Sequence, residues 1–85
     1  MKVLIPSALR SYTESAHAEA SGTTLAAVVT DLDRQYPGIR FRMIDEQNRI
    51  RRHVRFFVNG TQVHDLAQAV SAGEELIIVQ ALSGG

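Results

Sequence analysis

The chain is 85 residues long, 9.4 kDa, which leaves room for one domain and excludes a second. Apolar residues at 45% and charged residues at 21% exclude an intrinsically disordered segment. Nine Lys+Arg balance nine Asp+Glu, so no net charge draws the chain to nucleic acid or membrane, and the lack of Cys removes disulfides, thiolate metal sites and a Cys nucleophile.

A domain of this size buries roughly 60–65% of its unfolded surface, so its core is small and leaves little room for an enclosed substrate pocket. A carrier or interaction module fits that limit better than a self-sufficient enzyme. Lys2 followed by Val3, Leu4 and Ile5, with Ala16-His17-Ala18 beyond, has some look of a secretory leader, but Pro6, Ser7 and Arg10 break the apolar stretch. The longest apolar run, residues 25–29, falls far short of the ~20 residues of a membrane span. The expected location is the cytoplasm.

Residues 2–5 read as a first strand bounded by Pro6, and residues 7–10 as a turn. In residues 15–20, Ala16, Ala18 and Ala20 alternate with Ser15, His17 and Glu19, which predicts a second strand and a hairpin with the first. A helix is predicted from about Thr24 to Tyr36, because Leu25, Val28, Val29, Leu32 and Tyr36 fall on one face. Thr23 is the expected N-cap, Pro37-Gly38 the terminator, and Thr30, Asp31, Asp33 and Arg34 the wet face. Residues 39–45 alternate Ile39, Phe41 and Met43 with Arg40 and Arg42, which suits a strand or an irregular turn, and residues 46–49 read as loop.

The β-branched and aromatic run Val54–Val58 predicts a strand, and Asn59-Gly60 after it is a strong turn signal because both residues tolerate positive φ. A short strand around residues 62–63 completes that hairpin, and residues 66–70 suit a short helical turn. Ala72-Gly73 leads into residues 76–79, an unbroken apolar run that predicts a central strand covered on both faces. One helix against a mixed sheet of four to five strands is an α+β architecture. With the last strand beside the first and the helix crossing one face, it is the β-grasp, or ubiquitin-like, arrangement.

After that strand the sequence is Gln80-Ala81-Leu82-Ser83-Gly84-Gly85, which divides the chain into a β-grasp domain over residues 1–81 and a flexible tail over 82–85. The tail is expected to project and to reach roughly 13 Å at ~3.3 Å per residue. Two glycines make it thin enough to thread an enzyme channel or to pair by strand addition. Its chemical handle is the terminal carboxylate, ionised at neutral pH with an ordinary pKa of about 3.3–3.7. A carboxylate is a poor acyl electrophile; adenylation by ATP converts it to a mixed anhydride, and sulfide attack on that anhydride gives a thiocarboxylate. The alternative reading of Gly84-Gly85 alone is a frayed terminus.

The chain resembles the ThiS/MoaD-type ubiquitin-like sulfur carriers over nearly its whole length. The resemblance is carried by the 2–5 opening, the 23–36 helix with Pro37-Gly38, and Arg52-His53-Val54. It continues through Phe57-Val58-Asn59-Gly60, Ala72-Gly73-Glu74-Glu75-Leu76 and Ser83-Gly84-Gly85. It implies Gly85 as the acceptor of adenylate and then of sulfur, with Gly84, Ser83 and Leu82 as the threading segment. It implies no bound cofactor, ATP being used by a ubiquitin-activating-type adenylyltransferase. The second partner implied is a sulfur-accepting synthase of the cysteine-synthase-like or molybdopterin-synthase large-subunit kind. The Arg-rich segment between Pro37 and His53 most resembles the carriers of cysteine synthesis, although Leu82-Ser83 stands where those often have Val-Ala.

Arg40, Arg42, Arg49, Arg51, Arg52 and Arg55 place six of nine basic residues in sixteen positions. This segment is either a docking surface, with Arg51, Arg52, Arg55 and Phe57 as its candidates, or a solvated loop paired with Asp45 and Glu46. Base stacking by Phe56 and Phe57 is weighed against a core role in a strand. His17, His53 and His64 lack ligand spacing, so no metal site is expected, and Asp31 and Asp33, two apart on a helix, do not face each other. Two further functions compete with sulfur carriage: conjugation to protein amines through Gly85, and a non-catalytic binding module built on the arginines.

Overall fold

The computed structural model describes residues 1–81, so the readings placed on Leu82, Ser83, Gly84 and Gly85 lie outside the described residues. Five strands form one mixed sheet: β1 (Lys2–Leu4), β2 (His17–Glu19), β3 (Val54–Val58), β4 (Thr61–Val63) and β5 (Glu75–Gln80), in the spatial order β2-β1-β5-β3-β4. β1 pairs antiparallel with β2 and parallel with β5, while β3 pairs antiparallel with both β5 and β4. The last strand thus lies beside the first, and the β-grasp topology expected from the element order is present.

Period-two alternation decides which side chains enter the core. Val3 of β1, Val54, Phe56 and Val58 of β3, Val63 of β4, and Leu76 and Ile78 of β5 all point to one side and are buried. The expectation that β5 is covered on both faces is corrected: Ile77 is half-buried and Val79 is 41% exposed. Helices lie on one face of the sheet, and the opposite face is open. The apolar run reflects β-preference on that open face as well as burial.

The covering helix, α2 (Leu25–Gln35), buries Leu25, Val28, Val29 and Leu32 completely. Its N-cap is Thr24 rather than Thr23. Thr24 is extended, at φ −134° and ψ 162°, and its hydroxyl accepts the Ala27 N–H at 3.2 Å. Thr23 instead offers its carbonyl to the Val70 N–H. The segment predicted as a helical turn at 66–70 runs alongside as an irregular strap. The Leu66 and Gln68 carbonyls accept the Ala26 and Leu25 N–H groups, so the orphan donors of the first turn are satisfied by this loop and by Thr24. Gly22 lets the segment before the helix pass close against its first turn, since a methyl group there would meet Val28 N at 2.7 Å and Ala27 C at 2.8 Å.

Gly38, at φ 98°, ends the α2 connection in the left-handed region. The Asp33 carboxylate accepts the Gly38 and Arg40 N–H groups, both at 3.1 Å, and starts a second helix. That helix, α3 (Ile39–Met43), replaces the strand or irregular turn expected at 39–45. Its buried residues, Ile39 and Met43, are four apart, the helical spacing; Phe41 between them faces out, 56% exposed. The apparent alternation came from three apolar residues of which one is not in the core. Residues 7–10 hold more than a turn: a 3₁₀ turn (Ser7–Leu9) runs into a single helical turn, α1 (Arg10–Thr13), and Leu9 is fully buried.

Candidate functional site

The described chain leaves the sheet at β5, and the register fixes where. Val54 lies opposite Gln80 across the β3–β5 pair, and one residue on, the Ala81 N–H donates to the His53 carbonyl at 2.8 Å. The root of residues 82–85 is therefore fastened to the start of β3. Around it is an open groove of about 520 Å³ lined by Phe41, Arg42, Arg51, Arg52, His53 and Ala81, among others. A second open groove of about 620 Å³ adjoins it, sharing Arg51 and Arg52 and adding Arg49, Arg55 and His64.

Backbone contacts hold this surface in shape. The Ile44–Ile50 bridge and the Arg51 N–H to Met43 carbonyl bond, 2.9 Å, fold residues 44–51 back onto α3. The Arg51 guanidinium donates from Nε to the Phe41 carbonyl at 2.6 Å and lies 4.5 Å from the centroid of the Phe41 ring, a cation–π contact. Arg55 reaches back to the Arg52 carbonyl at 2.7 Å, and Arg40 donates to Asn48 Oδ1 at 2.7 Å.

The reading of this segment as a loop neutralised by Asp45 and Glu46 is not what the structure contains. Among the described residues the ion pairs are those of Arg34 with Asp31 and of the N-terminus with Glu19. Asp45 is committed to the backbone, its Oδ1 accepting the Gln47 N–H at 2.9 Å and the Arg49 N–H at 3.0 Å. The Arg49 N–H bond is the main cause that holds the Asp45 carboxyl below the ordinary carboxylate range; the Gln47 N–H and the charges of Arg49 and Arg51 add to it, against some desolvation.

That shift has a pH consequence. A carboxylate whose pKa falls on folding stabilises the fold above its unfolded value, here 3.8, and loses that contribution as pH drops through the lower folded value. The D45N variant is therefore expected to melt below wild type at neutral pH, with the two melting temperatures converging as the pH falls below 3.8. Thermal melts followed by circular dichroism across pH check this, and a gap that widens in acid would contradict it.

Arg51, Arg52 and Arg55 come together on this surface as the sequence placed them. Phe57 does not: it sits half-buried on the open sheet face, in register with Ile77, which is itself in register with Leu4. Phe56, weighed for base stacking, is core at 0% exposure. Phe41 is the residue the sequence reading missed, and the signal was available: Ile39 and Met43 at helical spacing after Pro37-Gly38 would have turned Phe41 outward. Among the described residues no group of three His, Asp or Glu side chains is placed to hold a metal, and no helix is long and apolar enough to cross a membrane.

Comparison with known proteins decides the family. The sequence matches the ThiS family over residues 3–85, a span that includes Ser83, Gly84 and Gly85. The chain belongs to the ThiS family. The Mycobacterium bovis protein named sulfur carrier protein CysO is 37% identical over 89 aligned positions, covering 98% of this chain and 96% of the relative. The crystal structure of Mycobacterium tuberculosis CysO superposes with a TM-score of 0.89 at 36% identity, over 95% of this chain and 98% of that one. A chain from the crystal structure of the Amycolatopsis orientalis BexX/CysO complex gives 0.90 at 31% identity, over 99% and 98% respectively. The small archaeal modifier protein 1 of Haloferax volcanii, at 23% identity over 100% of this chain and 98% of that one, has a TM-score of 0.80 and shares the fold.

Proposed function

We infer that this chain is a sulfur carrier protein of the cysteine-synthesis type, working through its terminal carboxylate. The observation that carries the reading is near full-length likeness to CysO carriers, together with a ThiS family match that runs through Gly85. Gly84 and Gly85 lie inside the family match rather than beyond it, which supports reading them as part of the carrier and not as an isolated terminus.

The chemistry assigned to Gly85 uses no side chain of its own. A carboxylate oxygen of Gly85 attacks the α-phosphorus of ATP on an activating partner of the ubiquitin-activating type, and pyrophosphate leaves. Hydrosulfide then adds to the acyl carbon, the bond to AMP breaks, and a thiocarboxylate remains. Gly85 presents its carbonyl with no Cβ to obstruct either attack, and Gly84 lets the chain pass a narrow entrance. Leu82 and Ser83 complete the threading segment. The carrier is a co-substrate, and ATP binds to the partner. The sulfur acceptor in this reading is an activated serine derivative on a cysteine-synthase-like enzyme. The relative crystallised with BexX is a CysO assembled with a second protein, which fits a carrier that works by docking.

The deciding experiment is intact mass after incubation with ATP, sulfide and the adenylyltransferase encoded in the same genome. The expected product carries one sulfur in place of one oxygen, located by fragmentation to Gly85. Denaturing immunoblots of native cell extract are expected to lack discrete high-mass conjugates. Their presence, with no sulfur-bearing form, would support protein modification instead.

A further inference from the structure

The chain is neutral as a whole but not in its parts. Residues 40–55 hold six arginines against Asp45 and Glu46, a net +4, and the remainder holds three cations against seven carboxylates, a net −4. In a molecule of 34 × 25 × 24 Å this makes one positive pole. The two adjoining grooves place that pole beside Ala81, at the root of the tail.

We propose that the surface formed by Arg42, Arg51 and Arg52 around the tail root docks an acidic protein rim, a set of carboxylate side chains bordering the entrance that receives the tail. The inference rests on the carrier reading above and adds to it what the partner's entrance must look like.

Three observations carry it. First, Arg42 and Arg52 are exposed, and among the described residues neither makes a side-chain hydrogen bond or ion pair. Of the two carboxylates of the segment, Asp45 accepts backbone N–H groups through Oδ1, and Glu46 forms no ion pair among the described residues. These guanidiniums therefore have their donors available for carboxylates, which they bind in bidentate geometry. Second, Arg51 is preorganised by the Phe41 carbonyl and ring, so less side-chain freedom is lost on docking. Third, the groove opens where the chain leaves β5, so whatever receives the tail covers this surface at the same moment. Opposed charges there steer the approach and set the orientation before the tail enters.

A protein rim fits better than RNA. Phe41 is the one exposed aromatic ring here among the described residues, with Arg51 on one face, and Phe56 is core, so the succession of aromatic platforms on which single-stranded nucleic acid stacks is not offered. An extended polyanion would also run from the positive pole onto a net-negative remainder, whereas a compact carboxylate cluster would not.

The test is steady-state adenylation of the full chain by the adenylyltransferase of the same genome, read as ATP–pyrophosphate exchange. The variant is R42Q/R52Q, and T30E/A72E is the control, with the same change in net charge placed on the outer side of α2 and before the far end of β5. At low salt the arginine variant is expected to raise KM for the carrier roughly fivefold with kcat kept, the gap closing as salt screens the pair. The control is expected to match wild type, and all three proteins to share one far-ultraviolet circular dichroism spectrum. Equal KM values at every salt concentration, or the same loss in the control, would overturn the docking face while leaving sulfur carriage intact. A wild-type chain that is not adenylated at all would overturn both. Salt-steep binding of a mixed-sequence RNA oligonucleotide, lost in R42Q/R52Q, would overturn the protein rim in favour of nucleic acid.

Discussion

Removing Gly85, or adding one residue after it, is expected to abolish sulfur loading while leaving the fold unchanged. The reaction is an in-line attack by one carboxylate on the α-phosphorus of ATP held by another protein, and its rate depends on where that carboxylate sits. The last described bond to the sheet is at Ala81, whose N–H donates to the His53 carbonyl. From there each residue sets the reach by about 3.3 Å, and misplacement of a reacting group by ~1 Å can cost ~100-fold. One residue too few or too many thus puts the carboxylate out of register by several times the tolerance. Extension has a second effect, since it replaces the Gly85 carboxylate with an amide that cannot attack ATP. Intact mass after incubation with ATP, sulfide and the activating enzyme reads the outcome directly. The G85A variant separates length from shape: it keeps the reach and adds one methyl group, so partial loading is expected. An extended chain that still delivers sulfur without being trimmed would sink the carrier mechanism.

What the sequence revealed about this molecule, and what it hid, follow from the range of the forces involved. The main helix and the strand Val54–Val58 were legible because each is defined by its own periodicity, and the structure places β3 at those bounds. The neighbours of a strand are not written in the strand. β5 reads as fully covered because Leu76, Ile77, Ile78 and Val79 are all apolar, yet the layer that would cover Ile77 and Val79 does not exist among the described residues. The N-cap was displaced by one residue for a similar reason. Thr23 and Thr24 are chemically equivalent, and the choice between them is made by the distant 66–70 strap that takes the Thr23 carbonyl. Helix α3 was hidden because Ile39, Phe41 and Met43 fit a strand's alternation while Ile39 and Met43 also fit a helix, and what decides between them is the Asp33 side chain from the preceding helix. At the candidate site, the arginines were countable in the sequence, but that none of them forms an ion pair among the described residues was not. Nothing in Asp45 as a letter says that it caps its own turn.

The largest expected effect on stability is at Phe56. It is fully buried at the middle of β3, in register with Val63 on β4 and Ile78 on β5, and it is the largest fully buried side chain described. Truncation to Ala is expected to cost about 3–5 kcal/mol, the range for a large aromatic whose cavity cannot collapse. Domains of this kind have a total stability of only about 5–15 kcal/mol, and this one has no disulfide to limit the loss. For 60–100 residues each kcal/mol moves Tm by about 4–8 °C, so F56A is expected to melt at least about 12 °C below wild type. The neighbouring change V79A, on the open face of the same sheet, is expected to shift stability by about 0.5 kcal/mol or less. The functional consequence follows from the register: β3 holds β5 along five pairs, Val54–Gln80 to Val58–Leu76, and the tail root is bonded to the residue before β3. F56A should therefore lose sulfur loading in proportion to the unfolded fraction and regain it on moderate cooling, unlike a Gly85 variant, which should stay inactive at every temperature. Paired melting curves and loading assays separate the two, and an F56A protein that melts with wild type would show that β3 is not the centre of the core.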